Sequence, residues 1–340
     1  MNTGELLLEL SAINGVSGTE GSVVNYLKEL LAGRGELEVT ALGSLLCHVK
    51  PPKVNGKHIL LDAHIDEIGM VVTHIAENGF LRVANCGGVD RRLLAASPVI
   101  IHTSKGNLDA VICSIPPHLQ GSEEKKNPRV DEIYIDTGFS YEECVGRIKL
   151  GDRVTLRSYP TALLNGNVSG KALDNRAGCA VLIKALEKLA DINCGLTLMF
   201  SSLEETGGQG ACTGAYGINP THAIVTDVSF AHTPDSPREK CGILGEGPMI
   251  GIAPLLNRNL SEKLRELAEE KNIPYQIEVM GSTTGTNADS VSTIRGGVKT
   301  ALISIPLRYM HTPIEIVSPD DIENTAALMA ALATHIDING

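Results

Sequence analysis

Residues 58–69, HILLDAHIDEIG, set the narrowest limit on what this chain can fold into. Ile59, Leu60 and Leu61 form an unbroken apolar run, the pattern of a strand covered on both faces. Such strands belong to sheets sandwiched between helices. The same stretch then brings Asp62, His64, Asp66 and Glu67 to the strand's end. Open α/β sheets bind ligands beyond the carboxyl ends of their strands. An imidazole and several carboxylates at that place therefore point to chemistry at the tip of the core.

The surrounding sequence alternates helix and strand. In SGTEGSVVNYLKELLAGRG, Ser17 and Glu20 have capping-box spacing ahead of a helical apolar pattern, and strand-like LEVTAL and LLCHV follow. From residue 68 the texture changes. GMVVTHIAENGFLRVA reads as a hairpin around Asn78-Gly79, and SPVIIHTSKGNLDAVICSI repeats the form around Lys105-Gly106-Asn107. GDRVTLRSYP adds a strand, and helical periodicity is almost absent up to residue 164. The proline-bounded, charged stretch 116–132 reads as a surface loop. After residue 165 the alternation returns, ending in SPDDIENTAALMAALATHID, a helix with Ser318 as cap and acidic residues in its first turn. The expectation is one α/β domain, residues 1–67 plus 165–340, interrupted at 68–164 by a small all-β barrel. A length of 340 residues suits two such units.

Composition narrows the partners. The formal charge is −11 and the only block of basic residues is in EEKK, 123–126, which argues against nucleic acid. No apolar run reaches the length of a membrane-spanning helix, and the N-terminus lacks the pattern of a signal peptide. The eight cysteines form no CxxC pair and sit mostly in apolar segments, as free thiols of a cytoplasmic protein do.

Three more apolar runs end as the first does: LTLMFSSL at Glu204-Glu205, AIVT at Asp227, and ALISIPLRYM at His311. Asp174, in GKALDNRAG, precedes a helix. Two histidines and several carboxylates suit zinc or a similar divalent ion. Each residue also has a plainer reading. His64 alone could be a satisfied core histidine, Asp174 an N-cap, Glu204-Glu205 a solvated strand end, and Asp227 part of a turn. The argument rests on their recurrence at successive strand ends. GGQG, 207–210, fits a tight turn rather than a phosphate loop, and TNADS, 286–290, fits either a pocket wall or a helix cap.

AHIDEIG, GKALDNRAG, SSLEETGGQGA, TDV and IPLRYMHTP, in this order, resemble the motifs of the M42 family of dinuclear metallo-aminopeptidases, some of whose members carry a cellulase or endoglucanase label. The resemblance spans essentially the whole chain. It implies a three-layer, zinc-peptidase-like α/β catalytic domain with a mostly parallel or mixed sheet, and a barrel insertion that mediates dimers able to assemble into dodecamers. It further implies that Asp174 bridges two divalent ions, zinc or else cobalt or manganese. His64 and Asp227 would complete one ion's ligands, Glu205 and His311 the other's. Glu204 would be the general base that activates a water shared by the two ions, and Asp66 would orient His64. The substrate would be a peptide with a free N-terminus. Leu203, Thr206 and Asn175 depart from residues common in the family.

The residue types support this chemistry independently. Paired divalent ions lower the pKa of a shared water toward neutrality. If Glu204 and Glu205 lay in extended backbone their side chains would alternate, one ligating while the other faces the water. Asp66, two residues from His64, could accept the second imidazole N–H. Three other readings compete. A metallo-carboxypeptidase or deacylase would need a cation for a carboxylate, with Arg176, Arg295 or Arg308 as candidates. A glycoside hydrolase needs carboxylates facing each other across a sugar, and with 3% aromatic residues and no Trp the chain offers few stacking platforms. A non-catalytic binding protein would have a broken ligand set.

Overall fold

A computed structural model describes residues 1–119, 127–189 and 191–339. Helices α1 (Thr3–Ala12) and α2 (Gly21–Leu30) precede strands β1 (Glu36–Val39), β2 (Leu45–Lys50) and β3 (His58–His64). The expected box at Ser17 does not form. α2 starts at Gly21 with Glu20 as N-cap and no side-chain cap bond, because Ser17 is engaged elsewhere. β3 is buried at all seven positions, as its apolar run requires.

The chain then leaves the sheet to build β4 (Gly69–Ile75), β5 (Leu81–Cys86), β6 (Pro98–Thr103), β7 (Gly106–Ile112), β8 (Ile135–Asp136) and β9 (Arg153–Leu156). These close into a barrel in the order β4-β5-β8-β7-β6-β9. Both hairpins form as the turn residues dictate. At the first turn Gly79 has φ +84°, and a Cβ there would lie 2.3 Å from the Phe139 carbonyl oxygen, so only glycine fits. Met70, Val72, Leu81, Val99, Ile101 and Val154 fill the barrel. This segment also holds a helix that periodicity does not reveal, α3 (Tyr141–Arg147), opened by a Ser140–Glu143 capping box. Seven residues are too few for an apolar stripe to repeat. Of the loop expected at 116–132, residues 120–126 lie outside the described residues.

Short strands β10 (Thr161–Ala162) and β11 (Val168–Gly170) lead back to α4 (Leu173–Lys188), β12 (Gly195–Ser201), α5 (Gln209–Ile218), β13 (His222–Phe230) and β14 (Met249–Ile252). α6 (Arg258–Lys271), β15 (Gln276–Val279), α7 (Asn287–Ser292), β16 (Lys299–Leu307), β17 (Glu315–Val317) and α8 (Pro319–Asn339) complete the chain. The main sheet runs β1-β2-β12-β3-β13-β16-β14-β15 and is mixed. β12, β3, β13 and β16, at its centre, are mutually parallel, so their carboxyl ends share one edge. Leu61 and Leu198 face the core under α1, α2, α4 and α8, whereas Leu60 and Met199 face α5 and α7. The result is the expected three-layer α/β body with a barrel inserted after β3. No helix among the described residues is long and apolar enough to cross a membrane.

Candidate metal centre

The four central parallel strands deliver the site. His64 ends β3, Glu204 and Glu205 follow β12, Asp227 lies in β13, and His311 lies just past β16. Asp174 comes from the start of α4, where Asp174 (φ −78°, ψ 103°) and Asn175 (φ −119°, ψ 41°) are not yet helical. Asn175, not Asp174, is the cap: its Oδ1 accepts the Gly178 N–H at 3.0 Å, while its Nδ2 donates to the Thr226 carbonyl at 2.9 Å. The amide side chain does both at once, which a carboxylate could not. Asp174 is thereby left free to face the two histidines.

His64 Nε2 lies 3.1 Å from Asp174 Oδ1, 3.7 Å from Asp227 Oδ1 and 3.9 Å from Glu204 Oε2. The other oxygen of Asp174 lies 3.3 Å from His311 Nε2, and Glu205 Oε1 lies 3.4 Å from that same nitrogen. Candidate ligand atoms therefore form two groups sharing Asp174, one with His64 and Asp227 and one with Glu205 and His311. A third grouping, His64 with Glu204 and Glu205, overlaps both. The His311 side chain remains 32% exposed and that of Glu204 18%, whereas His64 is 1% exposed, so the crevice opens on the side of the first two.

The alternation argument for the two glutamates does not apply. β12 ends at Ser201, Leu203 turns with φ +61°, and Gly207 and Gly208 donate back to the carbonyls of Glu204 and Leu203 at 2.9 and 2.8 Å. A tight turn, the one GGQG predicts, therefore holds both carboxylates at the crevice. Asp66, fully buried, anchors that turn by accepting the N–H groups of Glu204 (2.9 Å) and Glu205 (3.2 Å). Its carboxylate also lies 3.4 Å from His64 Nδ1, and its backbone oxygen lies 3.2 Å from that atom. Ser17 donates its hydroxyl to Asp66 at 2.6 Å.

Several supporting residues escape the sequence reading. Glu315, in β17, accepts the backbone N–H of His311 at 2.9 Å and that of Asp174 at 3.1 Å. A lone glutamate inside TPIEIV was its only signal. Gly87 and Gly88, just after β5, touch Glu205 and His311, and the paired glycines were the available cue. Behind Asp66, buried Glu67 and Lys171 pair at 2.7 Å. Asp62 accepts from Ser201 (2.7 Å) and Asn287 (3.0 Å). TNADS thus supplies a helix cap, with Thr286 bonded to the Ala288 N–H, and a buried partner for Asp62.

Electrostatics show a site short of positive charge. Burial pushes the Glu204 carboxyl up to about 7 and raises Glu205, with Asp227 and Glu315 well above the usual carboxylate range. Burial works against charge on the histidines, yet Asp174 and Glu205 hold His311 up to about 11, and Asp174 and Asp66 hold His64 well above its ordinary value. Burial also opposes ionisation of Asp174, but hydrogen bonds with His311 and His64 outweigh it and keep that carboxyl low. Among the described residues, no Lys or Arg forms an ion pair with Asp66, Asp174, Glu204, Glu205, Asp227 or Glu315. An imidazole–carboxylate set with converging ligand atoms fits divalent ions.

The cations needed by a carboxypeptidase or deacylase are committed elsewhere. Arg176 is buried and donates to the carbonyls of Ile65, Leu10 and Ile13 at 2.7–3.2 Å. Arg295 donates to the Tyr216 carbonyl and Arg308 to that of His232.

Comparison with known proteins identifies the family. The sequence model of the M42 glutamyl aminopeptidase family matches residues 43–328. A putative aminopeptidase of Acetivibrio thermocellus is 36% identical, and the lysyl aminopeptidase of Pyrococcus furiosus is 33% identical, each over 96% of both chains. Among solved structures, the Pyrococcus horikoshii TET1 peptidase, which can assemble into a tetrahedron or a large octahedral shell, superposes with a TM-score of 0.86 at 31% identity. That match covers 98% of this chain and 99% of the other.

Proposed function

Because the chain belongs to the M42 glutamyl aminopeptidase family and is a metal-dependent aminopeptidase, we propose that it removes N-terminal residues at a centre for two divalent ions. His64, Asp174 and Asp227 would hold one ion, and Asp174, Glu205 and His311 the other. The single observation that carries the reading is the two-sided Asp174 carboxylate, one oxygen 3.1 Å from His64 and the other 3.3 Å from His311. Zinc suits the ligand set best, although cobalt and manganese also accept imidazole and carboxylate. Such a pair supplies polarisation of the scissile carbonyl and acidifies water toward neutrality.

The chain's own residues do the rest. Glu204, on the open side, takes the proton of the attacking water at its carboxylate and passes it to the leaving amine. Its carboxyl is 18% exposed and lies 3.9 Å from His64 Nε2, beside the candidate ligands yet open to the crevice, which is the position a general base needs. Asp66 holds His64 and the Glu204–Glu205 turn in one arrangement, and Glu315 does the same for Asp174 and His311. The carboxylate-rich crevice favours a positively charged α-amine, which a free N-terminus offers and an internal peptide bond does not.

The deciding experiment is Glu204→Gln. The account expects retained metal and turnover lower by about 10²–10⁴-fold. Turnover within a few-fold of wild type would remove Glu204 from the mechanism.

We further propose that residues 68–164 form the dimerisation domain, that dimers build a dodecamer, and that the protein works in the cytoplasm. Exposed Tyr134, Tyr141, Val145, Leu150 and Tyr159 within this segment support the first point. A solved TET1 structure described as a dodecamer, 31% identical with a TM-score of 0.86, supports the second, and eight free cysteines support the third. Light scattering at the mass of one chain would overturn the assembly.

A further inference from the structure

We propose that the inserted barrel sets the ligand-ready orientation of both site histidines, through Gly88 for His311 and through Arg153 for His64. The proposal rests on the metal-centre reading above.

An imidazole can present only one nitrogen to a metal if the other is held by a hydrogen-bond acceptor, and that acceptor fixes both ring orientation and tautomer. For His311 the acceptor comes from the barrel. Its Nδ1 lies 3.0 Å from the Gly88 carbonyl oxygen, in the segment that follows β5, while Nε2 faces Asp174 and Glu205. The approach is so close that any side chain at this position must displace the His311 ring. A Cβ on Gly88 would stand 2.7 Å from His311 Nδ1 and 3.0 Å from its Cε1. The neighbouring Gly87, with φ +79°, lies against Glu205: a Cβ there would sit 3.2 Å from the Glu205 Cβ and 3.3 Å from Oε2. Two successive barrel glycines thus lie against the two residues assigned to a single ion.

The second connection is longer. His64 Nδ1 is held by Asp66, and the Asp66 carboxylate is held by the Ser17 hydroxyl at 2.6 Å. Ser17 is positioned in turn by the barrel. Arg153, in β9, donates to the Ser17 carbonyl oxygen from Nε at 3.2 Å and Nη2 at 3.1 Å, and the Cys86 thiol, at the end of β5, points to the same oxygen at 3.7 Å. One end of the barrel therefore reaches both Nδ1 atoms by separate routes. Gly88 and Arg153 are positioning residues that act through the two histidines.

The test is zinc binding, read apart from turnover. Metal-stripped wild type, Gly88→Ala and Arg153→Met are titrated with Zn(II) against a chromophoric chelator. Gly88 does not need the left-handed backbone region, so its alanine variant changes only what meets His311. The expected result is two ions in wild type, one of which binds about 10–100-fold more weakly in Gly88→Ala, and the other in Arg153→Met. Gly88→Ala should add nothing to the loss already caused by His311→Ala, because both act on a single ligand. Wild-type affinity at both sites in Gly88→Ala would overturn the first connection, and in Arg153→Met the second. Equal weakening of both ions in either variant would overturn the proposal, since it reports general loosening. A wild type that takes up fewer than two ions would instead sink the metal-centre reading itself.

Discussion

Glu315 accepts the backbone N–H of His311 at 2.9 Å, and this bond ties a residue with φ +62° to the first strand beyond it. The second carboxylate oxygen takes the Asp174 N–H at 3.1 Å, so one buried side chain spaces two of the candidate ligands. Glu315→Gln replaces one acceptor by an NH₂ group that faces a donor. A buried N–H left unpaired costs about 1–3 kcal/mol. The expected result is a lower melting temperature together with weakened zinc uptake. An unchanged melting temperature would show that Glu315 does not space the ligands.

Asp66→Asn tests the support of the turn that carries Glu204 and Glu205. The carboxylate accepts from Ser17, Glu204 and Glu205 and faces His64 Nδ1, four demands that an amide with a single acceptor oxygen cannot meet. We expect kcat to fall by more than tenfold while KM changes little, because Asp66 is fully buried behind the turn. A change confined to KM would place Asp66 in substrate binding instead.

The metal-free protein should lose stability as pH rises. Burial holds Glu204 up to about 7 and Asp62 up to about 6, so over the range between their ordinary and folded values the folded state carries protons that the unfolded chain has released. His311, held up to about 11 against its own burial, keeps its proton above the pH at which the unfolded histidine loses it. All three contributions have one sign: stability declines with rising pH. The depressed carboxyls, Asp66 and Asp174, act only at acidic pH. His58, His102, His222 and His335, lowered by burial, act the other way below about pH 6.5. Buried Lys171, also lowered, acts the other way toward high pH. The raised carboxyls and the two site histidines outnumber these groups. Melting curves of stripped protein at about pH 5.5 and about pH 9 should show the lower midpoint at high pH, with the gain from added zinc larger there because ligands must be deprotonated. A stripped protein more stable at the higher pH would contradict the electrostatic account.

Free-amine selectivity follows from the surplus of carboxylates. A peptide and its N-acetylated form should differ by at least tenfold in kcat/KM, measured by release of the first residue or of a chromophoric leaving group. Equal rates would remove the α-amine from recognition.

The sequence showed the strands that end at the site because buried parallel strands write themselves as continuous apolar runs, and a His or Glu at such an end stands out. β3 with His64 and β13 with Asp227 were readable on that ground alone. The hairpin at Asn78-Gly79 was readable because the turn requires specific residues. The supporting contacts were not, because they join residues far apart in the chain: Ser17 to Asp66, Glu315 to Asp174, Gly88 to His311. Ser17 even carried a misleading local signal, since a serine three residues before a glutamate looks like a cap until tertiary structure claims it. Glu204 and Glu205 stand after an apolar run that marks them in the sequence, but their backbone is a turn set by Leu203 and two glycines rather than an extended strand, which an apolar run does not reveal.

The most direct test of the central claim is stepwise reloading of stripped enzyme with Zn(II), recording bound metal by mass spectrometry and turnover of an aminoacyl-p-nitroanilide at each addition. The account predicts uptake of two ions per chain, with full turnover reached only as the second binds. Full turnover at a single ion per chain, or in its complete absence, would contradict it.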